Sequence, residues 1–335
     1  MRIFIDGPRW AGMWTEISAD EFHNLGWETQ IFYNNEKKAK AHFFQKLNKF
    51  LPATKALLDW EKFQQEDLFA EFGKSQFDLY FSIQGKVDSA FLKKIKVHNP
   101  QIKTVYWLGD VLVDAARRRF DSLKEASSSG ALDALLVSYR GAYYELVNQG
   151  FKNVHYFPFG YSKTFHQVGE ISAEEKMKYT CQVSFVGTHY PERAEVIHYL
   201  NQHLTEPVQV WGRGWQGSGI KSKKRLSLQE SLKVYACSKI SLNIHHHLTD
   251  NGFNMKFYEI PAAGGFQICD WQEELARTPL AMTPNYESKE NLLEIVLMYL
   301  GSDSKRRNFK NLLRENVIIE CPYSRQFEHM IKEIL

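Results

Sequence analysis

The chain opens on a short apolar run, RIFI, that breaks at once into a glycine-bearing loop, DGPRWAGMW. A helical stretch, EISADEFHNLGW, follows and stops near Gly26, and a second apolar run, ETQIFY, comes next. A strand, loop, helix and strand in that order begin a doubly wound sheet, because each buried strand must be covered by the helix that follows it. The same alternation continues through FDLYFSI, KTVYWLG, ALDALLVS and NVHYFPFG, with RGAYYELVNQG as a helix that ends on Gly150. It then begins again. CQVSFVG, VQVWG, KISLNIHH and FQICD read as four further strands, and Pro191 opens a helix with Ala194, Ile197, Leu200 and Leu204 on one face. Ser227 and Glu230 form a capping box ahead of SLKVYACS.

Two such series, in a chain of 335 residues, exceed one hydrophobic core. The fold class expected is therefore α/β with two Rossmann-like domains, 1–168 and 169–320. The polar stretch YSKTFHQVGEISAEEKMKY is the expected linker, and a final helix, SRQFEHMIKEIL within 321–335, is expected to return to the first domain. No repeat of solenoid length occurs.

Composition excludes several classes. The net charge of +3 is too small to argue for nucleic acid, and no apolar run reaches the roughly 20 residues of a membrane span. The first residues lack a signal peptide's apolar stretch, and Cys181, Cys237, Cys269 and Cys321 have no metal-type spacing. A reducing, cytoplasmic location is the expectation. Residues 34–75 mix lysines and aromatics at helical spacing. They read either as helices packed on their own domain or as a basic face for an acceptor or the inner face of an anionic membrane.

In open α/β sheets ligands collect at the carboxyl ends of strands. Glycine-bearing loops follow strands at Gly7–Gly12, Gly187, Gly212–Gly214 and Asn251–Gly252, three of them in the second half. Neither a Walker pattern nor a clean GxGxxG is present, so a P-loop ATPase and a standard dinucleotide fold lack support. The segment NGFNMKFYEIPAAGGFQICD sets Glu259 among apolar neighbours just before Pro261. A carboxylate in such a setting needs a partner, either in the protein or in a ligand.

VSFVGTHYPERAEVIHYL, VQVWGRGW and ISLNIHHHLTDNGFNMKFYEIPAAGGFQICDW, in that order, resemble the CgeB-like group of GT-B glycosyltransferases. VYWLGD and LVNQGFKNVHYFPFGYSKTFH in the first half are similar to that group as well, so the likeness touches most of the chain. The resemblance implies a nucleotide-sugar donor on the second domain, a glycan or glycolipid acceptor on the first, and transfer without a metal or other cofactor. By the same resemblance Glu259 accepts hydrogen bonds from the donor ribose, and Gly264 and Gly265 let the helix end pack closely. An internal partner, Lys256 or Arg213, is the rival account of Glu259. Where many retaining relatives carry a second glutamate, eight residues earlier, this chain has Asn251, which hydrogen-bonds but carries no charge. The stereochemical course therefore stays open.

For the donor phosphates the candidates are the backbone at Gly187, Thr188 and Gly212, with Arg193, Arg213, Lys256 and His245, while Asn251 and Asn254 line the same site. Arginine suits a diphosphate through its paired N–H donors. Trp211 and Trp215 are read either as stacking surfaces or as core. The histidine run 245–247 lacks further ligands at metal spacing, and no DxD triplet occurs, so no metal is expected. Asp110 is the candidate general base, with Asp6 and Asp114 as alternatives. Gly7, Trp10, Gly12 and Trp14 are expected on the acceptor side. A non-catalytic sugar- or nucleotide-binding protein, or a GT-B nucleotide-sugar epimerase, would present the same features.

Overall fold

A computed structural model describes residues 1–10, 12–36, 64–85, 87–110, 117–246 and 251–334. The expectation of amphipathic helices in 34–75 falls largely outside these residues, and so do His247 and Asp114. The chain divides into two compact units, Met1–Phe157 with Phe327–Leu335, and Pro158–Gln326.

In the first unit six strands form one parallel sheet among the described residues: β1 (Arg2–Gly7), β2 (Glu28–Tyr33), β3 (Leu79–Ile83), β4 (Lys103–Leu108), β5 (Ala134–Val137) and β6 (Val154–Tyr156). Their order is β2-β1-β3-β4-β5-β6. Ile3, Phe4 and Ile5 are all fully buried, as are Leu79, Tyr80 and Phe81, because helices cover both faces of a parallel sheet. The runs are thus continuously apolar rather than alternating. Phe4 meets Phe77 edge-on at 5.2 Å and Phe72 at 5.5 Å. The last helix, Tyr323–Ile334, delivers Phe327 to this unit, where its ring lies 5.0 Å from Phe22 and 5.2 Å from Phe157.

The second unit has the same plan. β7 (Cys181–Val186), β8 (Gln209–Trp211), β9 (Ser222–Lys223), β10 (Ser238–Asn243), β11 (Gln267–Asp270) and β12 (Asn285–Tyr286) lie in the order β12-β11-β10-β7-β8-β9, all parallel. Two short strands, β9 and β12, were not foreseen, since two residues carry no periodicity. The expected linker is also not featureless. Ala173–Tyr179 is a helix, opened by a capping box between Ser172 and Glu175 that the sequence displays as S-x-x-E. The Ser227–Glu230 box is present as read. β10 ends at Asn243, so His245 and His246 stand beyond the strand, and strand alternation does not set their directions.

The strand orders fix where a ligand can sit. From β7 the chain runs outward through β8 and β9, then returns to β7's other side with β10 and continues through β11 to β12. The direction reverses between β7 and β10, and loops leaving the two carboxyl ends diverge there to open a crevice. Register pairs Leu242 with Phe185, so Asn243 and Val186 end side by side at that point. In the first unit the reversal falls between β1 and β3, where Asp6 is paired with Ser82.

Candidate functional site

Gly187 leaves β7 at the reversal point of the second unit. Its N–H donates to Trp211 O at 2.8 Å, and its carbonyl accepts from Trp215 Nε1 at 2.9 Å. Gly212 takes φ 155°, and a Cβ there would fall 1.9 Å from Gly187 O, so no side chain fits between the two loops. Trp211 and Trp215 are each 1% exposed, which assigns both to the core. Trp215 acts from below, holding the Gly187 carbonyl in place.

Lys256 also stands near this loop. Its Nζ would lie 3.5 Å from a Cβ built on Gly187, a position the Phe185 ring already crowds at 2.8 Å. Asn254 places it: Asn254 Oδ1 accepts from Lys256 N–H at 2.9 Å, and Asn254 Nδ2 donates to Asn243 Oδ1 at 2.9 Å. The helix that starts here, Lys256–Ala262, contains Pro261, which has no N–H to offer the Phe257 carbonyl four residues back. Gln267 Nε2 donates to that carbonyl instead, at 2.9 Å.

Glu259 lies one turn beyond Lys256 and is 4% exposed. Among the described residues no hydrogen bond and no ion pair reaches its carboxylate, so neither Lys256 nor Arg213 is a direct partner. Burial pushes the Glu259 carboxyl up, to about 7, and the charge on Lys256 opposes that push. Burial likewise lowers Lys256, to about 8; Arg193 lowers it further and Glu259 raises it. Buried Glu259 and half-buried Lys256 thus influence each other through charge without a hydrogen bond or ion pair between them.

The glycine pair ends the helix. Gly264 takes φ 71° and donates to Pro261 O at 2.8 Å, and Gly265 donates to Ile260 O at 2.8 Å, which together make a Schellman motif. A Cβ on Gly265 would meet Ile260 O at 2.9 Å and Tyr235 O at 3.0 Å. These glycines shape the element that carries Glu259.

Arg193 is 6% exposed and spends its donors on backbone: Nε on Ile244 O and Nη1 on Thr188 O, both at 3.0 Å. It braces the loop after β7 against the segment after β10. Arg213 is exposed, and its carbonyl accepts from His189 N–H at 2.8 Å. His245 is 3% exposed; its Nδ1 lies 2.7 Å from Asp270 Oδ1, and its Nε2 is buried with no partner among the described residues. Asn251, at φ 47°, turns its side chain to the Glu273–Arg277 turn of 3-10 helix, where Oδ1 accepts from Glu274 N–H at 2.6 Å. That bond gives the residue a local structural task.

Three residues at this site escaped the sequence reading: Asn243, Gln267 and Asp270. Asn243 and Gln267 are at most 1% exposed, and each leaves one buried side-chain atom unpartnered, Nδ2 and Oε1. Polar residues at apolar strand ends were the available signal.

The first-unit candidates divide. A Cβ on Gly7 would fall 2.2 Å from Thr15 Oγ1, so the glycine admits the helix start. Trp14 is 4% exposed and packs on Trp107 at 5.7 Å, which makes it core; Trp10 stands edge-on to it at 5.0 Å and is half-buried, as is Gly12. Asp110 is exposed beyond β4. Asp6 is fully buried: its Oδ2 accepts from Tyr80 OH at 2.9 Å and Ser82 Oγ at 3.0 Å, and burial pushes the carboxyl up to about 6.

Among the described residues no group of three or more His, Cys, Asp or Glu side chains is gathered as a metal site would need, and no helix is long and apolar enough to cross a membrane.

Residues 178–332 match a family described as glycosyl transferase-like, a span that covers the site just described. The structure is similar over nearly its whole length to solved glycosyltransferase structures. Against sucrose-phosphate synthase from Thermosynechococcus elongatus the TM-score is 0.65 at 12% identity, with 99% of this chain and 98% of that one covered. Against the trehalose-6-phosphate synthase OtsA it is 0.69 at 10% identity, with 100% and 99% covered. S. aureus TarM, in a complex that includes UDP, matches at 0.53 and 11% identity over 76% of this chain and 55% of that one. The fold is thus GT-B, two Rossmann-like parallel-sheet units. No curated protein matches the sequence.

Proposed function

We propose that this chain is a glycosyltransferase that takes a sugar from a nucleotide-sugar held on the second unit and passes it to a glycan or glycolipid, without a metal ion. The carrying observation is the pair of buried Glu259 and half-buried Lys256, the latter next to Gly187 at the strand-order reversal: among the described residues no hydrogen bond and no ion pair reaches either charged group. Each fits a part of such a donor. A carboxylate accepts from two ribose hydroxyls, and an ammonium next to Gly187 meets a diphosphate. Glu259 and Lys256 then gain from the ligand the contacts the fold withholds.

Arg193 contributes indirectly by bracing the loops, and Arg213, exposed beside His189, supplies a further cation as the leaving diphosphate gains charge. The glycosyl transferase-like match over 178–332 supports the activity, and the CgeB-like resemblance points to a glycan, glycolipid or cell-surface polysaccharide acceptor, with the protein acting in the cytoplasm.

Thermal unfolding with UDP, GDP and ADP tests the donor site. A nucleotide at 100 times its dissociation constant adds about 2.7 kcal/mol of stability, seen as a raised melting temperature. One nucleotide is expected to raise it in the wild type and to lose that effect in Glu259→Ala. If no nucleotide stabilises the folded wild type, the donor assignment is wrong and a non-catalytic protein on the same fold becomes the better reading.

A further inference from the structure

His245 stands two residues beyond the end of β10, and Asp270 is the last residue of the neighbouring β11. The two strands pair in parallel, which brings the carboxylate under the imidazole. Asp270 Oδ1 accepts from the His245 backbone N–H at 2.9 Å and faces its Nδ1 at 2.7 Å, while Oδ2 accepts from Gln272 Nε2 at 2.9 Å. Burial pushes the Asp270 carboxyl up, but its interactions with His245 and Gln272 outweigh it and hold the group below its ordinary range. An ionised carboxylate only accepts, so Nδ1 carries the proton. In the neutral ring Nε2 then offers a lone pair.

That lone pair is buried and has no donor among the described residues. Phe253 backs the ring at 5.6 Å. A buried acceptor without a donor is costly, and a phosphate cannot relieve it, since phosphate oxygens at neutral pH are acceptors too. A hydroxyl can. Asn243, at the end of the same strand, leaves Nδ2 buried without an acceptor, while its Oδ1 is taken by Asn254. One donor and one acceptor are thus unspent near the end of β10, and a hydroxyl can serve the acceptor.

On the reading that the second unit holds a nucleotide-sugar, we propose that Asp270 is a positioning residue. It locks His245 as the Nδ1–H tautomer, so that Nε2 accepts a hydrogen bond from a hydroxyl of the transferred sugar. His245 thereby distinguishes a nucleotide-sugar from its nucleoside diphosphate, a task different from holding phosphate.

The test uses the full chain and matched pairs: UDP with UDP-glucose, GDP with GDP-mannose, and ADP with ADP-glucose. Nitrogen-15 NMR of the histidine rings is expected to find His245 in the free wild type protonated at Nδ1 alone. Its Nε2 resonance should move with the bound nucleotide-sugar but not with the matching diphosphate, and Asp270→Asn should mix the tautomers. In His245→Asn the amide N–H replaces Nδ1–H toward Asp270 and nothing replaces Nε2. Calorimetry should then record a loss of about tenfold for the nucleotide-sugar and a change of no more than about twofold for the diphosphate. A doubly protonated ring, an Nε2–H tautomer, equal losses with both ligands, or no loss with either overturns the hydroxyl contact and leaves the donor site standing. A wild type that binds no member of the panel overturns the donor-site reading and this proposal with it.

Discussion

Glu259 and Lys256 are three residues apart on one helix, the first buried and the second half-buried, and still not in contact as an ion pair. Isolated buried charges survive only where something repays their desolvation. Lys256→Met, which keeps the stem and removes the charge, is expected to weaken nucleoside diphosphate binding by about tenfold or more while leaving the free protein at least as stable, as checked by calorimetry and melting. Asp6 in the first unit makes a separate case. Its carboxyl is raised from 3.8 to about 6, mainly by burial. A raised carboxyl favours the folded state fully only below its unfolded value, and that contribution is lost as pH rises through the folded value. Wild-type stability should therefore fall between about pH 4 and pH 6 relative to Asp6→Asn, which stays neutral and still accepts from Tyr80 and Ser82. By neutral pH the variant should lead by about 3 kcal/mol in denaturant unfolding.

At the scale of elements, the short helix Lys256–Ala262 depends on repairs at both ends. Gln267 satisfies the carbonyl that Pro261 cannot, so Gln267→Ala leaves Phe257 O buried and unpaired. A cost of about 1–3 kcal/mol is expected from chemical denaturation of the second unit. The loop pair after β7 and β8 is equally intolerant. Gly212→Ala forces a Cβ into Gly187 O at a backbone angle that L residues rarely adopt. It should lower the melting temperature and, by moving Gly187 away from Lys256, reduce nucleoside diphosphate affinity. Melting with and without UDP, GDP or ADP separates the two effects.

At the scale of the whole molecule, the chain forms two units with separate cores, and passes from one to the other after Phe157 and again after Gln326. The final helix therefore gives the first unit residues from the far end of the sequence. Phe327 is fully buried there against Phe22, Phe81 and Phe157. Phe327→Ala is expected to cost that unit about 3–5 kcal/mol. In scanning calorimetry the first-unit transition should move down while the second-unit transition still shifts up with bound nucleotide.

Much of this was legible in the amino-acid order, because it depends on neighbours in sequence. Apolar runs broken by glycine announced two parallel sheets, Gly264–Gly265 announced a helix end, and Glu259 stood out as a carboxylate in an apolar stretch. Local chemistry alone sets those features. The sequence could not say that Arg193 would be spent on Thr188 O and Ile244 O, that Trp14, Trp211 and Trp215 were core, or that Asn251 would cap a turn. Nor could it pair His245 with Asp270, or leave Asn243 with an unspent donor. Those outcomes follow from strand order. β10 returns to lie beside β7 only when the sheet assembles, and some of the polar atoms that meet there come from segments far apart in sequence, as Arg193 and Ile244 do.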